Sequence, residues 1–559
     1  MEVFMFNLLD EKWLLGVHEN GSTEAVSVKD CMLRDFKDVK SLDFHGKHFY
    51  LYDYLAIRFL STIAADILIY SANELPSDSV EKIIALEING REISDSFKNA
   101  TEKYFMDYHD RFDLFDETHP FMQFLSVEKS KDKSLKLNPL APADSGRMLP
   151  ESFHSKKRIP ADEAMNLMNG KDICKRSKEQ FVTTPQEAAY ILLYSASIAP
   201  GVGAGNKSVL AGNAFIFETL KGNSLHETIL LNMPISGFLF DDDDEPIDFG
   251  VPVWRWKRIE EHQGEILATG KIKIMEGMFF PVKSIRLEME SEKVFAYEGS
   301  ISKDLKKNLG SLVDALRNLW ANKYEPHALI AQIKNTDKEA PKNPYRKLPP
   351  GNNLWLLLAA TAQTEQTTIQ EKRKKEVVDI IQSAGSSHHV RELSKTNTLP
   401  EIVQIRYYYR MASDKWVYFR SGCVDGEVPR GILEDPIRQK YLCEMTQYIT
   451  QVRCALDSCS KNYLANTSGD SSKANNKDVY DKIDIAMYEK SFMNSIQTVF
   501  VGEHSFLFEI SKTADLDETY RKWKHFIRCN ALEIFSTLMN QNRMETFWFY
   551  YEQLRKRCL

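Results

Sequence analysis

The spacing of apolar residues changes along the chain, and the changes mark its elements. Phe4–Val17 and Gly46–Leu51 carry the aromatic and β-branched residues expected of strands. Tyr54–Ala72 reads as a helix. Its most apolar part, Leu55–Tyr70, is interrupted by Arg58 and Asp66 and falls short of the ~20 clean residues of a membrane span. Thr184-Pro185-Gln186-Glu187 is a capping box with proline in the first turn, predicting a helix over Ala188–Ser197. Asn213–Leu220 reads as a strand. Glu128–Asp144 is a polar, lysine-rich loop, and Lys334–Asn353 is a break in which prolines alternate with lysines. Leu354–Gln382 carries a long helical pattern that includes the basic run from Glu371 to Lys375. Glu401–Val424 predicts a β-hairpin: Ile405, Tyr407 and Tyr409 alternate, a turn spans Met411–Lys415, and the strand resumes at Trp416.

From about Asp435 the period is helical throughout. Tyr441, Met445, Tyr448 and Val452 share one face, as do Ile485, Tyr488, Phe492, Ile496 and Val499. Trp523, Ile527, Ala531, Ile534 and Leu538 mark a third stripe, and Phe547, Tyr551 and Leu554 a fourth. Four amphipathic helices are most economically buried as a bundle. The expected fold class is therefore α+β, with a large mixed α/β domain over 1–432 and a C-terminal four-helix bundle over 433–559. The connection Lys461–Lys477 is long and polar, and no internal repeat is evident.

At 559 residues the chain is long enough for two or more domains. A net charge of −7 excludes a global polycation, so nucleic-acid contact must come from local patches. The eight cysteines are scattered without a Cys-x-x-Cys pair, and the start lacks a basic region followed by an apolar run. Both point to a cytoplasmic chain with reduced thiols and no membrane association.

Candidate chemistry centres on glycines 201, 203 and 205, which strip side chains from one loop and let its backbone approach something flat or narrow. The segment nearly spells a phosphate loop, but Asn206 precedes Lys207 where glycine is required. The order helix, loop, strand also reverses the arrangement that aims amides at phosphate. Asp241–Glu245 is five consecutive acids, which as chain neighbours repel rather than converge on a metal. His388-His389 has no ligand partner at helical spacing, and no Gly-x-Ser-x-Gly elbow occurs. Basic patches lie at Ser155–Arg158, at Lys171–Lys178 and in Arg406-Tyr-Tyr-Tyr-Arg410, whose mixture of guanidinium and aromatic groups suits nucleic acid or simply one sheet face. No cofactor is expected. The rival to a binding role is a phosphohydrolase or nuclease using the glycine loop, Lys207 and the acidic run.

Three segments together resemble the CasA family, the large subunit of the Cascade CRISPR surveillance complex. They are Phe6-Asn-Leu-Leu-Asp-Glu-Lys-Trp13, Glu117-Thr-His-Pro-Phe-Met-Gln123, and Ala199–Asn232 with its glycine loop and Leu230-Leu231-Asn232. The resemblance implies a non-enzymatic subunit that reads a protospacer-adjacent motif in duplex DNA, mainly through the minor groove, and helps start strand separation. It implies as partners the other subunits of the RNA–protein complex, the guide RNA's 5′ end, double-stranded target DNA, and a helicase–nuclease admitted through the C-terminal bundle. The family's glycine loop falls on Gly203-Ala204-Gly205, followed by Lys207, with Ala204 at the position usually given to the contacting glycine. Its hairpin wedge falls on Ala412-Ser413-Asp414-Lys415, where the family's glutamine is absent and Ser413 or Lys415 stands in. Its anchor loop resembles Met148–Lys156, with Phe153 in the place of the family's aromatic, beside His154 and Ser155. Lys303, Lys306 and Lys307 are candidates for its basic finger.

Overall fold

The structure, a computed structural model, describes residues 5–18, 20–33, 39–43, 51–71, 94–123, 159–160, 184–199, 208–235, 248–282, 284–290, 293–299, 313–317, 319–320, 326–328, 333–334, 354–362, 367–373, 376–382, 390, 393, 399–412, 419–467, 486–538 and 544–559. It mixes helices with small antiparallel sheets. The strand expected over Phe4–Val17 is confined to β1 (Leu14–His18), which is flanked by β2 (Thr23–Val26) and, beyond α1 (Val28–Leu33), by β3 (Val39–Asp43). Ahead of β1 an isolated antiparallel bridge pairs Asn7 with Asp113, with Leu8 N donating to Phe112 O at 2.9 Å and Leu114 N to Phe6 O at 3.0 Å, and side chains add to it. Asn7 accepts from the Leu9 amide at 2.9 Å and donates to the His109 carbonyl at 2.9 Å, while the Trp13 indole donates to the Leu8 carbonyl at 2.8 Å.

Residues 46–50 of the second expected strand lie outside the described residues, and Leu51 opens α2 (Leu51–Ser71). This helix is apolar nearly all round, which suits the centre of a core. It is long and apolar enough to cross a membrane, and 89% of its apolar window is buried. Arg58 and Asp66, which interrupt it, are buried and dock its neighbours. Arg58 donates to the Met278 carbonyl at 3.2 Å, and Asp66 accepts from Arg255 at 2.7 Å and from the Tyr104 hydroxyl of α3 (Asp95–Tyr108). The His-Pro-Phe-Met-Gln segment locks onto the same core: Phe121 stacks on Phe112 and Trp254, and the Gln123 side chain donates to Leu114 O at 2.7 Å and accepts from Leu287 N at 2.6 Å.

Further along come β4 (Ile159–Pro160), α4 (Pro185–Ser197), β5 (Ile216–Lys221), α5 (Leu225–Leu231), α6 (Ile259–Thr269), α7 (Ile274–Met278), β6 (Ser284–Glu290), β7 (Lys293–Gly299) and β8 (Ile333–Lys334). Strands β4, β7 and β6 form one sheet in that order. The long helix expected over Leu354–Gln382 is a correction. Among the described residues of this segment only α8 (Leu354–Thr361) is helical, and Thr367–Arg373 (β9) and Glu376–Gln382 (β10) pair antiparallel, with β8 beside β10. The runs Thr367-Thr-Ile and Val377-Val-Asp-Ile-Ile are rich in β-branched residues, whose stiff side chains favour extended backbone over the helix that periodicity alone allowed.

Strands β11 (Ile402–Ala412) and β12 (Phe419–Pro429) follow, then α9 (Arg430–Leu433), α10 (Pro436–Thr467), α11 (Ala486–Phe500), α12 (Phe506–Lys512), α13 (Leu516–Leu538) and α14 (Met544–Arg557). Helix α10 continues through Thr467, so the first part of the expected polar connection at Lys461–Lys477 is helical. Helices α10, α11, α13 and α14 pack on one another, with α12 against α11, α13 and β12. Their core does not stop at the sheet. It continues through Val403, Ile405, Tyr407 and Val428 on one face of the β12-β11-β5 sheet, while Phe217 and Tyr408 on the other face belong to the core around α2. Alternation along β11 thus divides its side chains between two cores.

Candidate nucleic-acid interface

The glycine-loop residues Gly203, Ala204, Gly205 and Lys207 lie outside the described residues, but both ends of their loop are fixed. Helix α4 starts at a reciprocal capping box, Glu187 N to Thr184 Oγ1 at 3.3 Å and Thr184 N to Glu187 Oε2 at 3.0 Å. It ends with Ile198 N and Ala199 N both donating to the Tyr194 carbonyl. Across the loop, Val209 N donates to Ala199 O at 3.1 Å and closes its neck. The chain turns through 209–214 into β5, giving helix, loop, strand, the reverse of a phosphate loop. At Gly212 a Cβ would stand 2.2 Å from Ala199 O, so only glycine permits this approach.

Two buried arginines hold the neck. Arg317 donates from Nη2 to Ser208 O at 2.7 Å and from Nε to Val209 O at 3.3 Å, and pairs with Asp314 at 2.6 Å. Arg410, fully buried on β11, donates from Nη1 to Ile198 O at 2.6 Å, from Nε to Ala214 O at 2.6 Å, and from Nη2 to Gly212 O at 2.7 Å and Ala211 O at 3.3 Å. One side chain therefore grips both ends of the glycine loop from the hairpin. The strand leaving the loop does the same through its backbone: β5 pairs with β11 from Gln404↔Lys221 to Tyr409↔Ile216.

The hairpin register runs from Ile402↔Pro429 to Ala412↔Phe419. Met411 and Ala412 are paired with Arg420 and Phe419, so the first two residues of the expected turn at Met411–Lys415 belong to the strand, while 413–418, Trp416 among them, lie outside the described residues. Ser413, Asp414 and Lys415 lie in that connection, outside the described residues. Opposite Tyr409, Gly422 leaves room for the tyrosine ring, whose hydroxyl oxygen is 2.4 Å from where a Cβ would stand.

The Arg406–Arg410 run is not a nucleic-acid surface. Arg406 forks onto Asp425 at 2.7 and 3.0 Å and reaches Asp53 at 3.1 Å. Burial opposes its charge, but Asp425, Tyr408 and Asp53 outweigh burial and hold the guanidinium above its ordinary pKa. Burial likewise pushes the Asp425 carboxyl up, and Arg406 with Lys221 overcomes it, leaving the carboxyl below the usual aspartate value. Tyr407 and Tyr408 are buried and donate to Thr361 and Asp53, and burial together with nearby carboxylates raises both phenols far above their ordinary range. Alternating aromatics looked alike on either reading; burial on both sheet faces decided between them.

The anchor residues Phe153, His154 and Ser155 and the lysines 303, 306 and 307 also lie outside the described residues. β4 pairs antiparallel with β7 (Ile159↔Ala296, Pro160↔Phe295), so the start of β4 and the end of β7 lie at the same end of that sheet. The motif around His119 contributes a basic surface that sequence reasoning did not assign. A small cleft of about 30 Å³ is lined by Arg111, His119, Lys257 and Arg258 beside Trp254 and Trp256, and burial with Arg111 lowers the His119 pKa. Among the described residues no three His, Cys, Asp or Glu side chains are grouped to hold a metal. Asp241–Glu245 and His388-His389 lie outside them.

A family profile described as CRISPR-associated protein Cse1 matches residues 7–534. No curated protein matches the chain. Among solved structures, Cse1 of Thermobifida fusca is similar with a TM-score of 0.65 at 15% identity, over 99% of this chain and 96% of that one. CasA of Thermus thermophilus gives 0.64 at 16% identity over 100% and 99%, and Cse1 of Acidimicrobium ferrooxidans 0.62 at 15% over 99% and 98%. At such identity these structures speak to the fold.

Proposed function

The chain belongs to the Cse1 family of CRISPR-associated proteins, and from that membership we propose that it is the non-catalytic large subunit of an RNA-guided surveillance complex, reading a short motif in duplex DNA and helping to open it. The observation that carries this reading is the joining of the glycine loop's neck to the hairpin through β5–β11 pairing and Arg410. Two segments about two hundred residues apart in sequence thereby emerge from one rigid frame. A side-chain-poor loop, Gly203-Ala204-Gly205, fits the minor groove, which is about 6 Å wide. Lys207 beside it contacts phosphate, and Ser413, Asp414 and Lys415 at the hairpin tip act as the wedge. Phe153, His154 and Ser155 anchor the subunit near the guide RNA's 5′ end, and one of Lys303, Lys306 and Lys307 supplies a further phosphate contact. Residues 433–559 dock neighbouring subunits and admit the helicase–nuclease. Pairing with the guide reads the rest of the target, a division of labour also found in a different effector.

The test is duplex binding by the assembled complex against a library randomised beside the target. The parent is expected to select a motif, and Ala204→Leu to reduce that selection roughly tenfold or more, the loss of contacts worth ~1–3 kcal/mol per position. Ala204 already carries a side chain, so its substitution is a cleaner probe than that of a flanking glycine. Unchanged selection by a folded Ala204→Leu subunit would remove the loop as reader.

A further inference from the structure

We propose that Arg410 is a positioning residue that couples the two DNA-facing elements, so that reading the motif and opening the duplex are one mechanical event; this rests on the function proposed above. Arg410 stands two residues before Ala412, the last paired residue of its strand, and is completely buried. Its guanidinium binds Ile198 O on the entry side of the glycine loop and Ala211, Gly212 and Ala214 carbonyls on the exit side, and its own amide donates to Phe215 O at 2.9 Å. A buried guanidinium is costly to leave with unfilled donors, so the carbonyls cannot depart one at a time. The planar fork fixes their relative directions, and a shift of the loop's neck is passed to the hairpin strand rather than absorbed. Arg317 provides the contrast. Its bonds go to Ser208 O, Val209 O and Asp314, which grip the loop's exit without reaching the hairpin.

Arg410→Lys keeps a cation but removes the fork, and Arg317→Lys does the same at the exit alone. In assembled complexes, opening of a motif-bearing duplex is read by 2-aminopurine fluorescence beside the motif. For Arg410→Lys it is expected to fall about tenfold, on the scale of one or two charge-assisted hydrogen bonds. A duplex already mismatched at those positions should lose clearly less than the paired one, because the hairpin no longer has to open it and only the loosened neck of the loop still weakens binding. Arg317→Lys should weaken motif selection on paired and mismatched duplexes alike. Equal loss on both duplexes for Arg410→Lys, or undiminished opening, overturns the coupling. Should Arg410→Lys fail to fold, hydrogen exchange on the parent complex decides. Motif-bearing duplex is expected to raise protection at the Val209 and Arg410 amides together, and a rise at only one refutes the proposal. A parent complex that selects no motif refutes the underlying function instead, and that outcome is separate from either of these.

Discussion

Arg406 and Arg410 share a strand and a composition that suits nucleic acid, yet both direct their donors within the chain, Arg406 to the half-exposed Asp425 and to Asp53, Arg410 to buried carbonyls. Charge already compensated inside the protein releases no counterions on binding DNA. Arg406→Gln is therefore expected to lower the melting temperature of the chain and leave the salt dependence of duplex binding by the complex unchanged. Lys207→Ala should do the opposite, reducing the log–log salt slope by about one with little effect on melting. A slope change in Arg406→Gln would place that side chain at the DNA. The Arg406–Asp425 pair also has a pH signature. The folded Asp425 carboxyl titrates below its ordinary value of 3.8, so its stabilising contribution is complete above that pH and is lost as pH falls through the lower folded value. Asp425→Asn should flatten the acid side of a melting-temperature profile below about pH 4, relative to the parent. An equally steep fall in the variant would show that other carboxylates set it.

At the scale of elements, the hairpin was legible over Glu401–Val424 because Ile405, Tyr407 and Tyr409 alternate, although its second strand runs on to Pro429, and α4 was legible because its capping box and proline are local signals. The segment 354–382 was not: its apolar positions satisfy a helical period, and the β-branched runs at 367–369 and 377–381 form strands by pairing β9 with β10, with β8 alongside. The anchor loop is tested at this scale. Phe153 next to His154 and Ser155 offers ~1.5–3 kcal/mol if its ring is buried by the assembly. Phe153→Ala should weaken retention of the subunit about tenfold or more while the isolated chain melts normally. A large melting shift with normal retention would make Phe153 part of its own domain's core.

For the whole molecule, the second core runs from the C-terminal helices into the face of β11 and β12. Cutting the chain before α10 would expose Val403, Ile405, Tyr407 and Val428, each now at most 1% accessible. The fragment 1–435 is expected to lose cooperative melting or to aggregate, so deletion cannot by itself report on docking. Substitutions of exposed aromatics, such as Trp548→Ser with Phe549→Ser, test docking without opening the core. A fragment that melts as the full chain does would show that the two cores are independent.

The sequence by itself determined the local features: the amphipathic stripes of the C-terminal helices, the capped helix before the glycine loop, the alternating positions of the hairpin, and the departure of Asn206-Lys207 from a phosphate-loop pattern. Each depends on residues within a few positions of one another, where period, capping and backbone freedom act. Tertiary structure alone decided which charges are internal and which elements share a frame. Nothing near Arg410 in sequence indicates that its guanidinium meets carbonyls of residues 198 and 211–214, because those partners are about two hundred positions away and are brought to it by β5–β11 pairing. Burial of a charged side chain is a property of everything packed around it, and only the folded chain specifies that.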